Sequence, residues 1–204
     1  ELAPALWKQI LFRVSGSENA DDIAEGREQA LAIVKGKSVA ELKQACREIV
    51  DNRMLEKSYA DTIELASMHL AAGQQVWLVS ATPVQIGQAL AETLGFTGAL
   101  GTVAEEKDGK FTGRLVGDIL HGPGKKHAVA ALAALQQLDL KQCTAYSDSI
   151  NDLPMLEMVG SPVAINPDRA LRKHAKAQGW AVRDYRSVRR VVRAGVVPAA
   201  LAAA

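Results

Sequence analysis

The stretch Cys143-Thr-Ala-Tyr146-Ser-Asp148-Ser-Ile-Asn151-Asp152-Leu-Pro-Met-Leu156 decides the fold. Its first four residues form a short run of the kind buried in a parallel sheet, and the run stops at Ser147-Asp148. Asp148, Asn151 and Asp152 then crowd one tight loop before a helix expected near Leu153-Pro154. Hard divalent cations such as Mg²⁺ take carboxylate oxygens and retained waters, and a loop of this composition supplies them. The plainer alternative is an Asp that caps the following helix.

Working outward, the same strand-then-helix rhythm repeats. Gln75-Val-Trp-Leu-Val79 reads as a buried strand that stops at Ser80-Ala-Thr-Pro83, where Thr82 can cap the next helix and Pro83 can occupy its first turn. Ile86, Leu90 and Leu94 line that helix until Gly95. Val103 to Val116, broken at Asp108-Gly109, reads as a hairpin. Lys125 to Gln137 is expected as a helix, Pro162–Ile165 and Trp180–Val182 as further strands with a helix between them. Repeated units of this length imply an α/β chain with a doubly wound parallel sheet. Upstream of about residue 58 the periodicity is helical only. Leu6, Ile10, Leu11 and Val14 form one stripe, and Ser38-Val-Ala-Glu41 is a capping box leading into Val39, Leu42, Cys46 and Ile49. Tyr59, Ile63, Ala66 and Leu70 line a helix that Gly73 ends. The expected domains are a helical cap over 1–57, an α/β core over 58–185 and a basic, Ala-rich tail over 186–204.

Composition narrows the function. The 204 residues carry 24 Lys+Arg against 23 Asp+Glu, a net +1, which argues against a nucleic-acid partner because phosphate backbones demand a surplus of cations. No apolar run is long enough to span a bilayer, and no signal-peptide pattern is present. Cys46 and Cys143 stand far apart without a Cys-x-x-Cys, which fits a reducing, cytoplasmic setting. Arg186, Arg189, Arg190 and Arg193 give the tail a basic face, for which a solvated helix is a simpler reading than lipid contact.

Ligands of a doubly wound sheet bind beyond the carboxyl ends of its strands. That rule selects Ser80, the Asp148–Asp152 loop, and Lys125 in Gly122-Pro-Gly124-Lys125, where a loop leads into a helix. A lysine there can hold a phosphate as a point charge beside a helix N-terminus, or simply be solvated. It is not a Walker loop, since Lys126 stands where Ser or Thr belongs. The histidines His69, His121, His127 and His174 show no ligand spacing.

Ser80, then Lys125, then Asp148-x-x-x-Asp152, each at a strand end or helix start and in that order, resembles the haloacid dehalogenase superfamily, and within it the phosphoserine-phosphatase-like branch with a helical cap. The resemblance covers essentially the whole chain. It implies a Mg²⁺-dependent phosphomonoester hydrolase acting on a small phosphorylated substrate through an aspartyl-phosphate. It implies that the Ser80 hydroxyl and Asn151 bind the phosphoryl group and that Lys125 neutralises charge on it. Asp148 and Asp152 would be metal ligands, with Asp152 also supporting Lys125. Ser147 and Ser149 replace glycines common in this motif. The family's nucleophile motif, Asp-x-Asp on the central strand, is missing: no two Asp here lie two positions apart. The expectation is therefore that the central strand and its nucleophile lie upstream of these residues, and that this chain alone is inactive. The rivals are a catalytically inactive protein that keeps a phosphate or Mg²⁺ pocket, and an interaction domain working through the tail. Membrane contact is not expected; the oligomeric state is left open.

Overall fold

In a computed structural model of the chain, residues 28–55 and 58–186 are described. The Leu6–Val14 stripe, the tail beyond Arg186 and the Ala-rich end lie outside them. The chain divides into two compact units, one holding residues up to Ser58 together with Thr62–Gly124, the other Tyr59–Asp61 and Lys125 onward.

In the first unit, residues 28–34 are helical (α1) and Ser38 opens α2 (Val39–Ile49), its hydroxyl accepting from the Glu41 amide at 3.3 Å. One half of the capping box is thus in place. α2 continues into a π-turn over Val50–Met54. Val39, Leu42 and Cys46 pack with Ile86, Ala89 and Phe111, so the helical segment shares a core with the α/β elements that follow it. After α3 (Ala60–Ala71), which ends at Gly73 with φ 74°, comes β1 (Trp77–Pro83) and then α4 (Val84–Leu94). β1 runs parallel to β2 (Gly98–Thr102), and β3 (Ala104–Lys107) pairs antiparallel with β4 (Lys110–Leu115). Asp108 and Gly109, at φ 52° and 74°, make the hairpin turn that the Asp-Gly pair predicts.

Two details differ from the sequence expectation. β1 continues through Pro83, so Pro83 precedes the helix instead of occupying its first turn. Thr82 does not cap α4; its hydroxyl and its amide both donate to the Ser80 hydroxyl, at 3.0 and 3.2 Å. β2 has no β-branched run to announce it. Its glycines are demanded by close approach: a Cβ on Gly98 would come within 2.5 Å of the Trp77 ring, and one on Gly101 within 2.6 Å of the Val84 Cα.

α5 (Pro123–Leu135) leads into the second unit, where a sheet is built in the order β5 (Thr144–Ser147), β6 (Ser161–Ile165), β7 (Ala181–Arg183), all parallel. α6 (Leu153–Leu156) and α7 (Arg169–Ala177) are its crossovers. Leu156, Ala164, Leu171 and Ala175 are wholly buried between sheet and helices, with Trp180 packed on them. The expected α/β architecture with parallel strands and right-spaced crossovers is present. Among the described residues the parallel strands form two sheets, β1-β2 and β5-β6-β7.

Candidate functional site

The site in the second unit is built on the end of β5. Pairing with β6 fixes the strand as far as Ser147, beside Ala164, so the chain is rigid up to the residue before Asp148. Ser147 then turns its hydroxyl back over the loop, accepting from the Ser149 amide at 3.2 Å and donating to Asp152 Oδ2 at 2.7 Å. Ser149 in turn accepts from the Asn151 amide at 3.2 Å and starts a 3₁₀ turn over Ile150–Asp152. These short side-chain-to-backbone bonds are what Ser and Asp do in turns.

Asp152 sits at the N-cap position of α6, yet its side chain makes no cap bond. Both its oxygens face Lys125 Nζ, at 2.7 Å for Oδ1 and 2.9 Å for Oδ2. The Lys125 side chain is 13% exposed and that of Asp152 9%. Lys125 is therefore not a solvated lysine. It is held by a carboxylate in a site where water screens little, so its charge stays in place and its position is set.

Asp148, one step past the strand, is exposed, and its backbone carbonyl accepts from the Asp168 amide at 2.7 Å. Among the described residues its carboxylate makes no hydrogen bond or ion pair. Nearby, the Arg186 guanidinium is pushed further up in pKa, chiefly by its hydrogen bond to Asp184 and in smaller part by Asp148. Asn151 lies in the 3₁₀ turn between the two carboxylates. Ser80, expected just past a strand end, instead lies near the middle of β1 because that strand runs on to Pro83; it belongs to the first unit and is half-buried, its hydroxyl taking the two Thr82 bonds.

Could this loop take a divalent cation? Its donors are oxygens, the Asp148 carboxylate is uncommitted among the described residues, and Mg²⁺ is often held by one or two carboxylates plus waters and substrate phosphate. That chemistry fits Asp148. Asp152 is already engaged on both oxygens. Among the described residues no three His, Cys, Asp or Glu side chains gather into a closed metal cage.

Two contributors were not singled out as site residues from sequence. Ser147 is visible only as a departure from glycine. Asp168 is legible as the cap of α7, after Asn166-Pro167, but its reach back to the Ile150 amide, 18 residues upstream, is not.

Comparison with known proteins follows the same lines. Residues 1–157 match the haloacid dehalogenase-like hydrolase family model. Phosphoserine phosphatase SerB1 of Mycobacterium tuberculosis is 56% identical over 197 residues, covering 97% of this chain and 64% of its own length. A histidinol-phosphatase of Neisseria meningitidis is 35% identical over 126 residues, covering 60% of this chain and 57% of its own. The chain thus spans less than two thirds of the length of these curated relatives. Among solved structures, a protein of unknown function from Bordetella pertussis superimposes with a TM-score of 0.73 at 28% identity, covering 89% of this chain and 91% of that one.

Proposed function

The chain belongs to the haloacid dehalogenase-like hydrolase family, and from that premise we propose that it is the phosphate-handling part of a Mg²⁺-dependent phosphomonoester hydrolase. The observation that carries this reading is Lys125, its side chain 13% exposed and held by both oxygens of Asp152, together with an Asp148 carboxylate just past the end of β5 that is uncommitted among the described residues. A fixed ammonium in a poorly solvated site is suited to charge that builds on a transferring phosphoryl group, because it needs no reorganisation when that charge develops.

The roles follow from that. Lys125 neutralises phosphoryl oxygens, and Asp152 orients it, aided by the Ser147 hydroxyl. Ser80 supplies a hydroxyl donor to the phosphoryl group, and Asn151 an amide. Asp148 is the protein's carboxylate toward Mg²⁺, with Asp152 adjoining. When bound, the ion offsets negative charge on the phosphoryl oxygens. The nucleophile must be a carboxylate if an aspartyl-phosphate forms, and no Asp-x-Asp occurs in these residues. The reading assigns it to a part of the protein outside them, in the share of the relatives' length that the chain does not span. Without such an aspartate the reading expects no turnover from these residues. The segment over residues 1–57 is assigned the cap that selects the substrate.

The substrate class is a small phosphomonoester. The relatives' names include phosphoserine and histidinol phosphate, and both belong in the first substrate panel. A cytoplasmic setting is supported by two unpaired cysteines, and no helix among the described residues is long and apolar enough to cross a membrane. The test is Asp148→Asn in the protein at its native length. Mg²⁺-dependent turnover should disappear; unchanged turnover would sink the metal assignment.

A further inference from the structure

We propose that Asp168 is a positioning residue that sets the conformation of the Asp148 loop, and that cation affinity at Asp148 depends on it. Its two carboxylate oxygens do different things. Oδ1 accepts from the Leu171 amide at 2.7 Å, which is the ordinary cap of α7. Oδ2 accepts from the Ile150 amide at 2.7 Å, a bond that leaves its own helix and reaches into the loop after β5. Its backbone amide makes a third link, donating to the Asp148 carbonyl at 2.7 Å. A helix cap needs only one of these.

The anchor is itself anchored. Asn166, held at φ 46°, accepts from the Tyr185 amide on its side-chain oxygen at 2.7 Å and donates its own amide to the Arg183 carbonyl at 2.8 Å. Arg186 donates to the Pro167 carbonyl at 3.3 Å. The turn before α7 is thereby tied to the end of β7, and Asp168 carries that rigidity across to residues 148–150. Asp148 has no side-chain bond of its own among the described residues. Its placement rests on backbone links, two of which come from Asp168 and one from Ser147 through Ser149. Groups that orient a ligand without touching the metal change its affinity substantially when removed.

This inference rests on the reading of Asp148 as the carboxylate toward Mg²⁺. It is tested with Asp168→Asn in the native-length protein, titrated with Mg²⁺ by calorimetry beside wild type and Asp148→Asn. Asparagine keeps Oδ1 for the Leu171 amide and is a good cap, but presents an NH₂ group to the Ile150 N–H. Mg²⁺ affinity should fall about tenfold while the thermal midpoint stays within a few degrees. Asp168→Ser, which can cap and is too short to serve Ile150 as well, should do the same and stands in if the first variant folds poorly. Wild-type affinity in both variants overturns the proposal, as does a lowered midpoint with unchanged affinity, which would make Asp168 a helix cap only. If wild type itself binds no Mg²⁺, or Asp148→Asn binds it equally well, the metal assignment of the proposed function has failed and this inference falls with it.

Discussion

Asp152→Asn perturbs the site in a way whose size follows from the geometry. The substitution keeps the shape and leaves one oxygen for the Ser147 hydroxyl, but removes the charge that faces Lys125 Nζ at 2.7 and 2.9 Å. With the lysine side chain only 13% exposed, water cannot replace the lost partner. Removing one member of a buried pair costs about 3–5 kcal/mol, against 0–1 kcal/mol for a pair at the surface. Trp180 packs on the core of the same unit, so urea unfolding followed by its fluorescence, in a background where Trp7 and Trp77 are replaced by Phe, reports the right region. The companion variant Lys125→Met/Asp152→Leu removes both charges and should recover most of the loss, leaving a coupling of roughly 2 kcal/mol or more in the cycle. A cost below about 1 kcal/mol for Asp152→Asn would refute the idea that the pair is shielded from water and mutually dependent.

Other outcomes follow from single contacts. Gly160→Ala should destabilise by about 2 kcal/mol or more in a chemical-denaturation experiment, because its Cβ would lie 1.7 Å from the Lys141 carbonyl oxygen. Asp184 is held well below the usual carboxylate range, first by its side-chain hydrogen bond from Arg186 and further by Arg172. A carboxylate with a depressed folded pKa contributes its full stabilisation above the unfolded value of about 3.9 and loses it progressively as pH falls from there toward the folded value. Asp184→Asn should therefore lower the thermal midpoint at neutral pH, with the gap from wild type closing below about pH 4. Burial pushes the Cys46 thiol up to about 11, so iodoacetamide at pH 8 should leave it unmodified in the native protein and alkylate it in urea.

Lys125 and Asp148-x-x-x-Asp152 were legible because they open a helix or follow a strand, and those elements declare themselves by apolar runs and caps, whereas Ser80, read as lying just past a strand, falls near the middle of β1. The hairpin was legible for a similar reason, since Asp108-Gly109 accepts positive φ. What sequence could not disclose was which carboxylate would be buried. Nothing in the spacing says that Asp152 turns inward to Lys125, 27 residues away, while Asp148 faces out. β2 was hidden because its glycines answer to Trp77 and Val84, neighbours known only once the strands are paired. Thr82 was a fair cap on local grounds and lost to a tertiary fact, the extension of β1 through Pro83.

The most direct test of the central claim is phosphate release from a panel of small phosphomonoesters, phosphoserine and histidinol phosphate included, by the native-length protein and its Lys125→Met variant. Calorimetric unfolding confirms that both are folded. The account predicts Mg²⁺-dependent release by wild type and a loss of orders of magnitude in kcat for the variant. No release by wild type from any member of the panel, or equal release by the two proteins, would contradict it.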